Sequence, residues 1–102
     1  MSLYALQKAV YEINRGDPTL QRYRADPSDF AGRYALSREE AGALATPDIG
    51  LLYVLGVNGQ LLMHFAAACG YAWDAYIAAL QRGLRDHGPV REGLHAVTGA
   101  GR

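Results

Sequence analysis

Residues 59–70 read GQLLMHFAAACG and residues 73–85 read WDAYIAALQRGLR. In the first stretch Leu61, Leu62, Phe65, Ala66 and Cys69 fall on one side of a helix at a period of 3.6, between glycines that start and stop it. In the second, Trp73, Ile77, Leu80 and Leu84 do the same, with Asp74 near the positive end of the helix dipole and Arg82 and Arg85 near the negative end. The spacing predicts two amphipathic helices with Phe65 and Trp73 as core residues. Cys69, in the middle of the first stripe, reads as a small hydrophobe that stays protonated.

Working back towards the N-terminus, the pattern repeats in shorter pieces. Leu3, Leu6, Val10 and Ile13 mark one helical face that ends near Asn14 and Gly16. Asp17-Pro18 and Asp26-Pro27 each read as an N-cap followed by proline at the first helical position, leading to Leu20 with Tyr23 and to Phe30 with Tyr34. Ser37 to Glu40 is a capping box, in which the serine hydroxyl and the Glu40 carboxylate satisfy each other's exposed backbone N–H groups. Thr46-Pro47 is expected to stop that alanine-rich helix and to cap another, carrying Ile49, Leu52 and Leu55 and ending at Gly56. No stretch alternates with period two. The expected fold is all-α, a compact bundle of about six short helices over residues 1–85. A flexible tail over residues 86–102 follows, in which Gly88, Gly93, Gly99 and Gly101 oppose regular structure. The glycines read as punctuation.

Composition narrows the function classes. With 102 residues, half of them hydrophobic, the chain suits one domain and is too apolar to be disordered. Lys plus Arg equals Asp plus Glu at 10 each, so nothing marks it for a nucleic-acid backbone or an anionic membrane. One cysteine excludes a disulfide framework and favours a reducing compartment. Leu3 to Val10 is too short and too polar for a signal peptide, and no apolar run spans a bilayer. The expected location is cytoplasmic.

The helix at 59–70 carries the best hint of a partner. Opposite its core stripe lie Gln60, Met63, His64 and Ala67, a face without charge where a solvated helix normally shows Lys or Glu. Either the bundle itself covers this face or it docks on another protein. Catalytic constellations are thin. His87 and His95 sit near Asp86 and Glu92, the residue types of a non-haem iron site, but at spacings that match no metal motif. Glu39 and Glu40 are accounted for by the capping box. No nucleophile elbow or phosphate-cradling loop is present. We assign no catalytic and no metal-ligating residue to this chain.

The order of the pieces resembles a known family. LQRYRADPSDFAGRYALSREEAGAL from Leu20, then Asp48, then LLYVLGVNGQLL and the closing Gly70 are similar to the LigA family. Its members are the small alpha subunits of extradiol ring-cleaving dioxygenases such as protocatechuate 4,5-dioxygenase. The most specific part is Leu55-Gly56-Val57 followed by Leu61-Leu62. The resemblance implies a helical, non-catalytic subunit that binds no cofactor itself. It docks on a large beta subunit, which holds the Fe(II), and helps cover that subunit's aromatic pocket. On that reading the uncharged face docks, and Arg91 and His95 approach a substrate carboxylate. Self-association stays open. Family members often read Gly-Val-His-Pro where this chain has Gly56-Val57-Asn58-Gly59, so no role of that histidine transfers. Two other readings remain: the recognition domain of a borosin-type peptide precursor, which binds an N-methyltransferase, and a stand-alone helical interaction module.

Overall fold

Local chemistry starts and stops most of the helices. The computed structural model describes residues 2–91, which form seven helices and no strand. They are α1 (Ser2–Asn14), α2 (Thr19–Ala25), α3 (Pro27–Gly32), α4 (Arg38–Ala45), α5 (Ile49–Leu55), α6 (Gly59–Ala68) and α7 (Trp73–His87). The all-α expectation holds, and the expected caps hold in part. Asp26 accepts from the Asp29 N–H at the start of α3, and Ser37 and Glu40 close the capping box of α4. α2, however, begins at Thr19 with Pro18 rather than Asp17 at its N-cap. Thr46 serves the end of α4, where its hydroxyl donates to the Gly42 carbonyl, and Asp48 caps α5 by accepting from the Leu51 N–H. Gly56, at φ 111°, ends α5 in the left-handed region, which a side chain would resist.

The core gathers Leu6, Val10 and Ile13 of α1, Leu44 of α4, Ile49 and Leu52 of α5, and Leu62 and Phe65 of α6. Tyr23 sits among them, edge-on to Phe30 at 5.7 Å and to Phe65 at 5.6 Å, and its hydroxyl donates to the Leu44 carbonyl at 2.6 Å. Burial pushes the Tyr23 hydroxyl well above its ordinary range, so it remains a donor. α1 packs on α6, α3 on α4, and α5 on α7. No described helix is long and apolar enough to cross a membrane.

The register of α7 differs from the sequence expectation. Tyr76, Ala79 and Gly83 are its buried residues, whereas Trp73 is 64% exposed and Leu84 is 41% exposed. The reason is a close helix crossing. A Cβ on Gly83 would stand 2.4 Å from the Gly50 carbonyl oxygen, so the backbones of α5 and α7 touch where neither residue has a side chain. These two glycines are contact points rather than punctuation. Small residues therefore face α5, and the larger Ile77 and Leu80 flank the contact, half-buried. Trp73 rests on the Tyr76 ring, with centroids 5.6 Å apart. Trp73→Ala should thus cost about 1 kcal/mol or less, against the several expected for a buried aromatic, as thermal melting of the isolated chain will check. α7 also runs through Asp86 to His87, past the expected start of the tail, before Gly88 at φ 85° ends it.

Candidate functional site

α6 is held in place at its first turn. The Asn58 side chain accepts from the backbone N–H groups of Gln60 at 2.9 Å and Leu61 at 3.1 Å, while the Asn58 backbone N–H donates to the Gln7 side-chain oxygen of α1 at 2.7 Å. Asn14 of α1 donates to the Leu61 carbonyl at 3.0 Å. With Leu62, Phe65 and Ala66 buried against α1 and Tyr23, the orientation of the opposite face is fixed.

On that face Gln60, His64 and Ala67 are exposed and Met63 is half-buried, packed against the core. The four residues expected to form an uncharged surface therefore lie together on α6, and the described bundle leaves three of them open. His64 Nδ1 lies 3.0 Å from the Gln60 carbonyl oxygen, one turn back along the helix. Two shallow depressions along the α1–α6 seam extend the surface. One, of about 440 Å³, is lined by Tyr11, Asn14, Leu20, Leu61, His64 and Ala68. The other, of about 630 Å³, is bounded by Tyr4, Gln7, Lys8, Tyr11, Asn58 and Leu61. Tyr4 is 68% exposed and Tyr11 52%, which sequence reasoning missed. Their signal was available, since positions 4, 8 and 11 share the helical face opposite the Leu6 and Val10 stripe.

The C-terminal site residues are only partly within view. Arg91 follows the turn after α7, and its guanidinium grips the Glu39 carboxylate of α4 through two bonds of 2.7 and 3.2 Å. That hydrogen-bonded pairing holds the Glu39 carboxyl below its ordinary value of 4.5. The fork expected to meet a substrate carboxylate is thus filled by a carboxylate of this chain. Glu92 and His95 lie outside the described residues.

Cys69 follows the last residue of α6, half-buried beside Tyr23. Burial pushes its thiol up, against the opposite pull of the Arg24 guanidinium, so it is a poor nucleophile. Tyr34 is raised to about 12 by burial and by its hydrogen bond to Glu12. Among the described residues no three His, Cys, Asp or Glu side chains converge as a metal site would need. His64 stands on α6 and His87 at the far end of α7.

Gln60, His64 and Ala67 thus present an uncharged, exposed face of α6. Residues 6–87 match the family described as aromatic-ring-opening dioxygenase LigAB, LigA subunit. The chain belongs to the LigA family. No curated protein and no solved structure matches it. The match spans α2 to α7 and most of α1, so the LigA resemblance first carried by residues 20–70 extends to both ends of the helical bundle. The peptide-precursor reading finds no support in these comparisons. In this LigA chain Asn58 stands where the resemblance led one to expect histidine, and its place as the cap of α6 gives it a structural task.

Proposed function

We propose that this LigA-family chain is the non-catalytic small subunit of an extradiol ring-cleaving dioxygenase. It docks on an iron-bearing large subunit and helps cover that subunit's aromatic pocket. The observation that carries the proposal is the family match over residues 6–87. The open face of α6 supports it. Gln60, His64 and Ala67 offer a surface with no charge to desolvate, and Met63 beneath them can adapt its shape to a partner. Fe(II) would supply the oxygen-activating chemistry on the large subunit. This chain contributes walls, cover and exclusion of water. Arg91, together with His95, would address the carboxylate of an aromatic acid, and to do so Arg91 would exchange Glu39 for the ligand.

Co-purification with a candidate large subunit of an extradiol dioxygenase tests the docking claim. Ala67→Glu should leave the free chain's melting temperature nearly unchanged, because Ala67 is exposed. In the assembly it would bury an unpaired charge and weaken association on the order of a hundredfold or more. Undiminished binding would move the interface off α6. Deletion from Gly88 onward should spare association and raise the apparent KM, and unchanged kinetics would remove the C-terminal segment from the pocket.

A further inference from the structure

The large apolar side chains of α7 stand beside its buried face rather than in it. Trp73, Ile77, Leu80 and Leu84 are spaced four, three and four residues apart, the interval at which a helix keeps one stripe turned towards a second helix. Trp73 and Leu84 are exposed, and Ile77 and Leu80 are half-buried. Tyr76, Ala79 and Gly83 take the contact with α5 roughly 100° away round the helix, so the described residues leave both ends of the seam open and its middle half-covered. The stripe is also symmetric about the midpoint between Ala78 and Ala79. Trp73 stands as far before that point as Leu84 stands after it, and Ile77 as far before it as Leu80 after. One flank carries Asp74, Gln81 and Arg85, all exposed, with the acid in the first turn of α7 and the base in the last. Among the described residues Asp74 and Arg85 have no ion-pair partner.

We propose that α7 is the interface of a weak homodimer, in which two copies of this chain pair their α7 helices antiparallel across the seam. A two-fold rotation about the midpoint brings Trp73 of each copy against Leu84 of the other and Ile77 against Leu80, so every apolar side chain of the seam meets another. The same rotation sets Asp74 level with Gly83 of the second copy, within two residues of that copy's Gln81 and Arg85 and on the same flank. Each Asp74 thereby finds an opposite charge. A parallel pairing would set Asp74 beside Asp74 and Arg85 beside Arg85, which like-charge repulsion opposes. The seam is about 16 Å long. Its buried area lies at the low end of specific interfaces, below about 1,200 Å² in total, and we expect a dissociation constant of about 10–100 µM. The inference does not depend on the proposed function, because the seam shares no residue with the α6 face of Gln60, Met63, His64 and Ala67.

The test is sedimentation equilibrium of the full 102-residue chain, alone, from about 1 µM to about 1 mM. The mass should rise reversibly from 11.1 kDa towards twice that value. Trp73→Ala and Leu84→Glu should each raise the dissociation constant by about tenfold or more, since each change occurs twice in the pair. Both positions are exposed, so both variants keep the fold. At about 1 µM, where the parent is monomeric, Trp73→Ala should melt close to the parent. Asp74→Arg and Arg85→Asp should each weaken the pair about three- to tenfold, and the double variant, which only exchanges the two signs, should return close to the parent. In a mixture of isotope-labelled and unlabelled chains, NOEs should join the Trp73 indole of one copy to the Leu84 methyls of the other. A mass that stays at 11.1 kDa over the whole range, or a doubling that both Trp73→Ala and Leu84→Glu leave intact, overturns the proposal. Doubling without recovery in the charge-exchanged variant overturns the antiparallel arrangement. A mass that doubles only after removal of residues 92–102 gives the seam to the chain's own C-terminal residues, and it too overturns the proposal.

Discussion

Gly83→Ala is expected to destabilise this domain, although the same change in a solvent-facing helix would stabilise it. In an isolated helix alanine is favoured over glycine by about 1 kcal/mol. At position 83 the added methyl would lie 2.4 Å from the Gly50 carbonyl oxygen and 2.5 Å from both its carbonyl carbon and Cα. All three are backbone atoms, so no side chain can swing aside. α5 and α7 must separate, and that separation loosens the packing of Ile49 and Tyr76 with it. Overpacking of this kind costs about 1–3 kcal/mol and sometimes more. Gly50→Ala should behave alike, its methyl meeting the Ala79 carbonyl oxygen at 2.4 Å. Gly42→Ala is the control: it lies inside α4 with nothing within 4 Å and should gain stability. Urea unfolding of the three variants decides the matter, since a Gly83 variant as stable as the Gly42 one would mean that the close crossing is absent.

The same crossing explains what the sequence concealed about α7. Periodicity gives most weight to large apolar side chains, so Trp73, Ile77, Leu80 and Leu84 read as the inward stripe. The buried set Tyr76, Ala79 and Gly83 lies one residue away, roughly 100° round the helix. When two backbones touch, small residues mark the contact, and their partner is 33 positions distant with no local signal. Features that depend on near neighbours were legible instead. Asp26 and the Ser37–Glu40 box satisfy N–H groups three residues on, and the Leu6–Val10–Ile13 stripe turns inward as its spacing requires. Thr46 and Asp48 sit either side of Pro47, and both can cap, so sequence reading put the cap of α5 one turn-residue pair too early. The open face of α6 was readable from its lack of charge. The Glu39–Arg91 pair was not, because neither residue's surroundings foretell a partner from the other half of the chain.

Phe65→Ala should be the costliest aromatic truncation in α6 or α7, at about 3–5 kcal/mol. Phe65 is 0% exposed, and its ring meets the edge of Tyr23, which in turn meets Phe30, so its loss opens a cavity at the joint of α2, α3 and α6. For a domain of this length each kcal/mol corresponds to roughly 4–8 °C, so the melting temperature should fall by about 12–40 °C. Trp73→Ala, equally a loss of an aromatic, should stay close to the parent. An equal fall in both would restore the inward reading of Trp73. The contrast also protects the docking test. Phe65 and Ala67 belong to the same helix, and a loosened core would blur the outer face as surely as a misplaced charge would. Association lost in the Phe65 variant therefore says nothing about where the partner sits. Association lost in the Ala67→Glu variant, with the parent's melting temperature retained, assigns the loss to the surface itself.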